Sequence, residues 1–167
     1  VLIDGVNVNT LQREDLRSCI GVVPQKAVLF KGTIRENLKW GKADATDEEL
    51  MAALELAQAR EVVEGKEGGL DAVVEQGGTN FSGGQRQRLT IARALVRQPK
   101  ILILDDSASA LDYATDAALR KAIRDMRNGP TTFIVSQRAA SVRYADQILV
   151  LDDGQLVGQG THEQLME

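Results

Sequence analysis

Two short stretches combine residue types and spacings that could act on a phosphate. The first is Phe81-Ser82-Gly83-Gly84-Gln85, followed at once by Arg86 to Leu95. Leu89, Ala92, Leu95 and Val96 recur as one apolar helical face, which predicts that Ser82 and the two glycines stand at a helix N-terminus. Free backbone N–H groups and the helix dipole favour an anion there, a serine hydroxyl can donate to it, and glycines let it approach the backbone closely. Taken alone, Ser-Gly-Gly also fits an ordinary serine cap after a flexible loop. The second stretch is Ile101-Leu102-Ile103-Leu104-Asp105-Asp106, a continuous apolar run ending in two carboxylates. Such a run predicts a parallel strand covered on both faces. Its carboxylates then fall at the carboxyl edge of the sheet, where ligands bind in open α/β folds. One carboxylate there can hold a hydrated Mg²⁺ and the next can orient a water against a phosphate.

The elements needed to place these groups can be followed along the chain. From Val1 to about Phe30, the clusters Val1-Leu2-Ile3 and Ile20-Gly21-Val22-Val23 read as two strands. The turn-like Asp4-Gly5 and a short turn or helix lie between them. Asp47 can cap a helix whose Leu50, Leu54 and Ala57 share one face, and a glycine-rich loop runs from Gly65 to Gly84. After Ile101 the pattern alternates. Leu119, Ala122, Ile123 and Met126 make a helical stripe, Asn128-Gly129-Pro130 is a turn, and Thr132 to Val135 is the next strand. That βαβ order predicts a right-handed crossover in a parallel sheet. Gln147–Leu151 and Gln155–Val157 flank Asp152-Asp153-Gly154 and read as a hairpin.

Composition narrows the partners. A chain of 167 residues with 43% hydrophobic residues can bury a sizeable core. The net charge of −4 and a pI of about 5.1 argue against a nucleic-acid partner. The single cysteine, Cys19, cannot form an internal disulfide and reads as a buried or half-buried filler, with a reactive thiol as the alternative. No apolar run approaches the roughly 20 residues that span a bilayer.

Taken in order, the motifs resemble the nucleotide-binding domain of ABC transporters along essentially the whole chain. Phe81 to Gln85 resembles the family's signature, Leu104-Asp105 the end of its Walker B strand, and Ser109-Ala110-Leu111-Asp112 its D-loop. Val23-Pro24-Gln25, ahead of Leu29 to Leu38, resembles the Q-loop of the exporters, and Gly160 to Leu165 resembles their C-terminal segment. Val73 to Gly77 resembles their short acidic loop, with Val74 where glycine is usual.

Three departures accompany the resemblance. No Gly-x-x-x-x-Gly-Lys-[Ser/Thr] occurs; Gly41-Lys42 is followed by Ala43 and has Glu36 at the first glycine's place, so it is a decoy. The family's phosphate loop comes shortly before a segment like Val1 to Asp4. The resemblance therefore implies a fragment that begins after that loop and lacks the first strands of the core. Asp106 stands where active members carry glutamate, and misplacing a carboxylate by about 1 Å can cost on the order of 100-fold in rate. Gln137, in Val135-Ser136-Gln137-Arg138, stands at the switch histidine; it can hydrogen-bond a γ-phosphate but cannot carry an imidazolium's charge.

The fold expected is α/β: a P-loop-NTPase-like parallel sheet flanked by helices, with a helical subdomain carrying the signature. Residues 1–30 are a partial ATPase core ending in the Q-loop, 31–98 the helical subdomain, and 99–167 the core with Walker B, D-loop and switch region. The resemblance implies the degenerate half of a heterodimeric exporter, bound to ATP and Mg²⁺ on the cytoplasmic side of the cell membrane. Its partners are then a second nucleotide-binding domain and a transmembrane domain, with no nucleic acid. Gln25 and Asp105 contact Mg²⁺, Asp105 through water; Asp106 is an impaired base, with Gln25 and Gln137 beside the reacting phosphate. Ser82, Gly83, Gly84 and Gln85 bind the partner's ATP. Ser109, Ala110, Leu111 and Asp112 face the dimer interface. A slow homodimer, a soluble ABC-type ATPase acting on DNA or ribosomes, and a non-hydrolysing interaction module stay open. The last applies above all to the isolated chain, expected to be inactive by itself.

Overall fold

The computed structural model describes all residues from Val1 to Glu167. They form two compact units, Val1–Val135 and Ser136–Glu167.

In the first unit, β1 (Leu2–Ile3) and β2 (Val6–Asn7) form a small antiparallel hairpin. Asp4 and Gly5 at its tip both have positive φ, as a tight right-twisted hairpin requires. After α1 (Arg13–Cys19) the chain enters β3 (Ile20–Val23). A two-stranded antiparallel sheet pairs β4 (Gly32–Thr33) with a later strand, and α2 (Ile34–Lys39), α3 (Asp47–Leu56) and α4 (Arg60–Glu64) follow β4. The strand that pairs with β4 is β5 (Val73–Val74), inside the glycine-rich stretch. Then come α5 (Gly83–Leu95), β6 (Ile101–Asp105), α6 (Tyr113–Arg124) and β7 (Thr131–Val135).

The main sheet has the order β3-β6-β7, all parallel, with β6 hydrogen-bonded on both sides. Beneath it the core gathers Val23, Leu102 and Leu104 from the strands, Leu89, Ile91 and Leu95 from α5, and Ile34, Leu38, Leu50 and Leu54 from α2 and α3. Leu50, Leu54 and Ala57 are fully buried together, as their spacing predicts. The expectation that β6 is covered on both faces needs correction. Val22, Ile103 and Phe133 lie side by side in register on the opposite face, and Val22 and Phe133 are 55% and 56% exposed. Only the face bearing Leu102 and Leu104 is sealed, because that is the face turned toward the helical core.

The cap of α3 also differs from expectation. Thr46, not Asp47, is the N-cap: its hydroxyl accepts from Glu49 N–H while the Glu49 carboxylate accepts from Thr46 N–H. Threonine followed three residues later by glutamate is a capping box, which leaves Asp47 in the first turn, where its charge meets the helix dipole and Arg35. Thr33 and Glu36 form the same box at α2.

The Gly41-Lys42 decoy has structural work. A Cβ on Gly41 would lie 2.1 Å from the Arg93 carbonyl oxygen, so only glycine lets the end of α2 pass so near α5. The Lys42 ammonium is engaged by Glu49.

The second unit holds α7 (Ala139–Val142) and the hairpin β8 (Ile148–Asp152) with β9 (Gln155–Gly160). Asp153 and Gly154 both take positive φ at its turn.

If the capping box closes α3 as described, Thr46→Ala lowers the free energy of unfolding by about 1 kcal/mol. Asp47→Ala, which removes no cap, costs less. Urea titrations should show the larger midpoint shift for Thr46, with an unchanged slope.

Candidate functional site

The register of the parallel sheet decides which distant residues meet. Val23 lies opposite Leu104, so Gln25 and Asp106 are each two residues past a matched pair at the carboxyl edge. Their side chains touch there: Gln25 Nε2 donates to Asp106 Oδ2 at 3.1 Å. Asp105 is the last residue of β6, opposite Val135, and is exposed. Asp105 and Asp106 thus lie at the carboxyl edge, where the strand-end argument puts the two carboxylates, and Gln25 joins them there.

Asp106 departs from regular backbone. Its φ is 43°, in the left-handed region, which aspartate tolerates better than most side chains. Its N–H donates to the Val135 carbonyl at 2.9 Å, and its own carbonyl accepts from Ser109 N–H at 3.2 Å and Ser109 Oγ at 2.9 Å. The loop that follows is anchored by the buried residues Ser107, Ala108 and Leu111, while Ser109 and Ala110 are exposed. Asp112 ends it as the N-cap of α6, accepting from Thr115 N–H at 2.9 Å and Thr115 Oγ1 at 2.7 Å.

Ser82 is the N-cap of α5, as expected. Its hydroxyl oxygen accepts from Gln85 N–H at 3.2 Å, and Gln85 Oε1 accepts from Ser82 N–H at 3.0 Å. The ordinary cap and the anion site are therefore compatible. A hydroxyl that accepts from the helix keeps its own hydrogen as a donor, and the N–H groups of Gly83 and Gly84 remain at an exposed helix start. Gln85 differs from the plain ligand expected, because its amide oxygen is committed to the cap. The turn is held from behind by Arg86, whose Nη1 donates to the carbonyls of Phe81 at 2.6 Å and Gly78 at 3.3 Å. Lys66 stands 4.6 Å from the Phe81 ring centre and donates to the Asn80 carbonyl. Gly84 also meets the loop after β6: a Cβ there would lie 3.3 Å from the Ala110 carbonyl oxygen, a tight approach.

Gln137 lies in the second unit, exposed, two residues beyond the end of β7. His162, the sole histidine, borders a recess in that same unit with Arg143 and Tyr144.

Sequence reasoning missed a recess in the first unit. It encloses about 220 Å³ and is bordered by Val22, Phe30, Trp40, Arg93 and Arg97. The Phe30 and Trp40 rings lie 5.1 Å apart, yet Phe30 is 45% and Trp40 70% exposed. Arg93 sits over Phe30, its Nη1 is shielded from solvent without a hydrogen-bond partner, and burial pushes the guanidinium below its ordinary value. No carboxylate lines the recess. The signal was present in Phe30 and Trp40, aromatic residues in a chain with only 4% of them, but nothing local ties them to Arg93.

The chemistry available at the sheet edge is that of oxygen donors. Asp105, Asp106 and the Gln25 amide match the ligands a hydrated Mg²⁺ takes, one or two carboxylates with water completing the shell. No group of three or more His, Cys, Asp or Glu side chains is close enough to hold a metal by itself.

With this geometry in place, comparison with known proteins defines the class. The ABC transporter family model matches residues 1–109. The chain belongs to the ABC transporter family. It is 48% identical over 166 residues to an uncharacterized ABC transporter ATP-binding protein of Bacillus subtilis (strain 168), covering 99% of this chain and 29% of that protein. It is 45% identical to a probable multidrug resistance ABC transporter ATP-binding/permease protein of the same organism, covering 99% of this chain and 28% of that one. A beta-(1→2)glucan export ATP-binding/permease protein of Rhodopseudomonas palustris (strain BisB5) is 46% identical, with coverage of 99% and 28%. Among solved structures, a bacterial Atm1-family ABC exporter with ATP bound superposes with a TM-score of 0.93 at 37% identity, over 99% of this chain and 29% of that chain. The fold is thus that of an exporter's nucleotide-binding domain, and the chain spans under a third of the length of these relatives. No helix is long and apolar enough to cross a membrane.

The Asp112 cap makes a pH-dependent contribution. Hydrogen bonds from the Thr115 backbone and then its hydroxyl hold the Asp112 carboxyl below the ordinary value of 3.8. A carboxyl depressed in the folded state stabilises above its unfolded pKa, and that stability is lost as pH falls through the folded value. Asp112→Asn should therefore lower stability at neutral pH and flatten the acid side of a stability–pH curve, the variant and parent curves converging as pH falls below about 4. Unchanged curvature in unfolding titrations would remove the cap from the account.

Proposed function

We propose that this chain is the ATP-binding part of an ABC exporter, coupling ATP binding and hydrolysis at a dimer interface to transport, and that its own catalytic site is the weaker of a pair. The observation that carries the reading is the contrast between the two site edges. At the start of α5, Ser82, Gly83 and Gly84 form an open helix N-terminus suited to a partner's nucleotide. At the sheet edge, the short Asp106 carboxylate is turned onto Gln25. In this assignment Asp105 holds Mg²⁺ through water, Gln25 contacts Mg²⁺ or the attacking water, Asp106 is an impaired base, and Gln137 touches the γ-phosphate. Ser109, Ala110, Leu111 and Asp112 lie toward the partner domain, which is a different subunit.

The remaining assignments follow from the same reading. Residues 31–98 act as the helical subdomain between two portions of ATPase core, 1–30 and 99–167. The whole lies on the cytoplasmic side of the membrane, joined to a transmembrane domain. The recess of Phe30, Trp40 and Arg93 supports that partnership: exposed aromatic rings beside a shielded, unanswered cation suit an apolar segment that brings a carboxylate or carbonyl oxygens. The net charge of −4 supports a role without nucleic acid.

Two measurements test the proposal. No segment of Val1–Glu167 supplies the nest of N–H groups and the lysine that grip nucleotide phosphates in this class of ATPase, so the 167-residue chain should bind Mg-ATP weakly and hydrolyse none. A micromolar dissociation constant by isothermal titration would contradict this. In the full transporter, Ser82→Arg should nearly abolish ATP turnover, because a bulky cation displaces the hydroxyl and blocks the glycine backbone. Asp106→Asn should cost little, since removing a well-placed catalytic group costs several kcal/mol of barrier and altering an impaired one does not. Equal and severe losses in one reconstituted dimer would make Asp106 a working base and sink the asymmetric reading.

A further inference from the structure

The geometry points to Ser109 as a positioning residue: its backbone N–H and hydroxyl together grip the Asp106 carbonyl and hold Asp106 in the left-handed conformation from which its carboxylate reaches Gln25. The chain of contacts is continuous. Ser109 N–H and Oγ both donate to the Asp106 carbonyl, at 3.2 and 2.9 Å. Asp106 N–H is fixed to Val135, its φ is 43°, and its Oδ2 accepts from Gln25 Nε2 at 3.1 Å. The N–H, the carbonyl and the carboxylate of Asp106 are thus all committed, and on the carbonyl side the Ser109 hydroxyl is the donor that a side-chain substitution can remove.

The physical reason for a two-donor grip is the backbone. A non-glycine residue in the left-handed region carries strain, and such residues persist only where their surroundings over-determine them. β7 holds Asp106 from the amide side, but no strand follows on the carbonyl side, where the chain turns toward α6. Ser109 supplies the missing constraint. The loop that carries it is seated at both ends: Ser107, Ala108 and Leu111 are buried, and the Ala110 carbonyl faces Gly84 at the start of α5.

The inference concerns the same Asp106 as the functional reading, and rests on that reading only for its relevance to turnover; the grip itself stands on geometry. Its test reads the Gln25 side chain in the full chain by ¹⁵N NMR, with the resonance identified by its loss in Gln25→Ala. Held on a carboxylate, the Gln25 side-chain amide protons should be shifted from the other glutamines and exchange slowly. Asp106→Gly, which removes the acceptor and suits a left-handed backbone, defines the released endpoint. Ser109→Ala loses one of two donors, which should raise the ratio of released to held Gln25 about fivefold and move its resonance toward the Asp106→Gly position. Ser109→Thr keeps the hydroxyl at an exposed position and should leave the resonance in place. If Ser109→Ala leaves Gln25 unmoved, or if Ser109→Thr behaves like Ser109→Ala, the positioning role is wrong. Neither outcome bears on the turnover asymmetry, which is measured separately, so the two readings fail independently.

Discussion

The parallel ladder of β6 with β3 and β7 is the constraint on which the candidate site depends. β6 is the central strand, hydrogen-bonded along both edges, and its register with β3 sets Val23 opposite Leu104. Side chains that follow each strand by the same number of residues then emerge level with one another. Gln25 and Asp106, 81 residues apart in sequence, come within hydrogen-bond distance for that reason. A shift of one residue in this ladder would turn Leu102 and Leu104 out of the core and bring Ile103 into it, and the sealed face tolerates no such exchange. The burial that stabilises the sheet therefore also aims its carboxylates.

The second edge of the site depends on a helix start rather than a strand end. α5 buries Leu89, Ile91, Ala92 and Leu95 in the shared core, so its orientation is set by apolar packing along its length. Its N-terminus is set by local chemistry: the reciprocal bonds of Ser82 and Gln85, with Arg86 gripping the preceding turn. Glycine at position 84 matters for its closeness to the Ala110 carbonyl as well as for access to the backbone. The first role ties the signature turn to the loop after β6, and the second leaves it open to an anion.

The surface retains apolar and cationic features that isolated stability does not explain. Val22 and Phe133 lie open on the second face of the sheet, and Trp40 is 70% exposed beside a guanidinium whose Nη1 has no acceptor. Groups of this kind cost free energy when left exposed or unpaired, and they are common where a protein meets a partner.

Periodicity and spacing were enough to read the α/β class, the apolar faces of α3 and α5, Leu119 and Ile123 on α6 though not Met126, which lies beyond its end, the strand from Ile101 to Leu104, the hairpin about Asp152-Asp153-Gly154 and the serine cap at Ser82. Each of these is local: a period of 3.6 or 2, a turn dipeptide or a cap acts over a few neighbouring residues. The motif order also indicated which residues to examine, Gln25, Asp105 and Asp106 among them. The cap at Thr46 is equally local and legible in Thr46-x-x-Glu49, although Asp47 beside it is also a residue type that caps helices. Contacts across long separations were decided only by the tertiary structure. The Gln25–Asp106 bond needs the parallel register, the approach of Gly84 to Ala110 needs α5 and the loop after β6 packed together, and the recess at Arg93 needs α5 beside Phe30 and Trp40. The open second face of β6 belongs to the same group: an apolar run shows that a strand can be buried on both sides, whereas what lies against each side is settled by packing that no local pattern records.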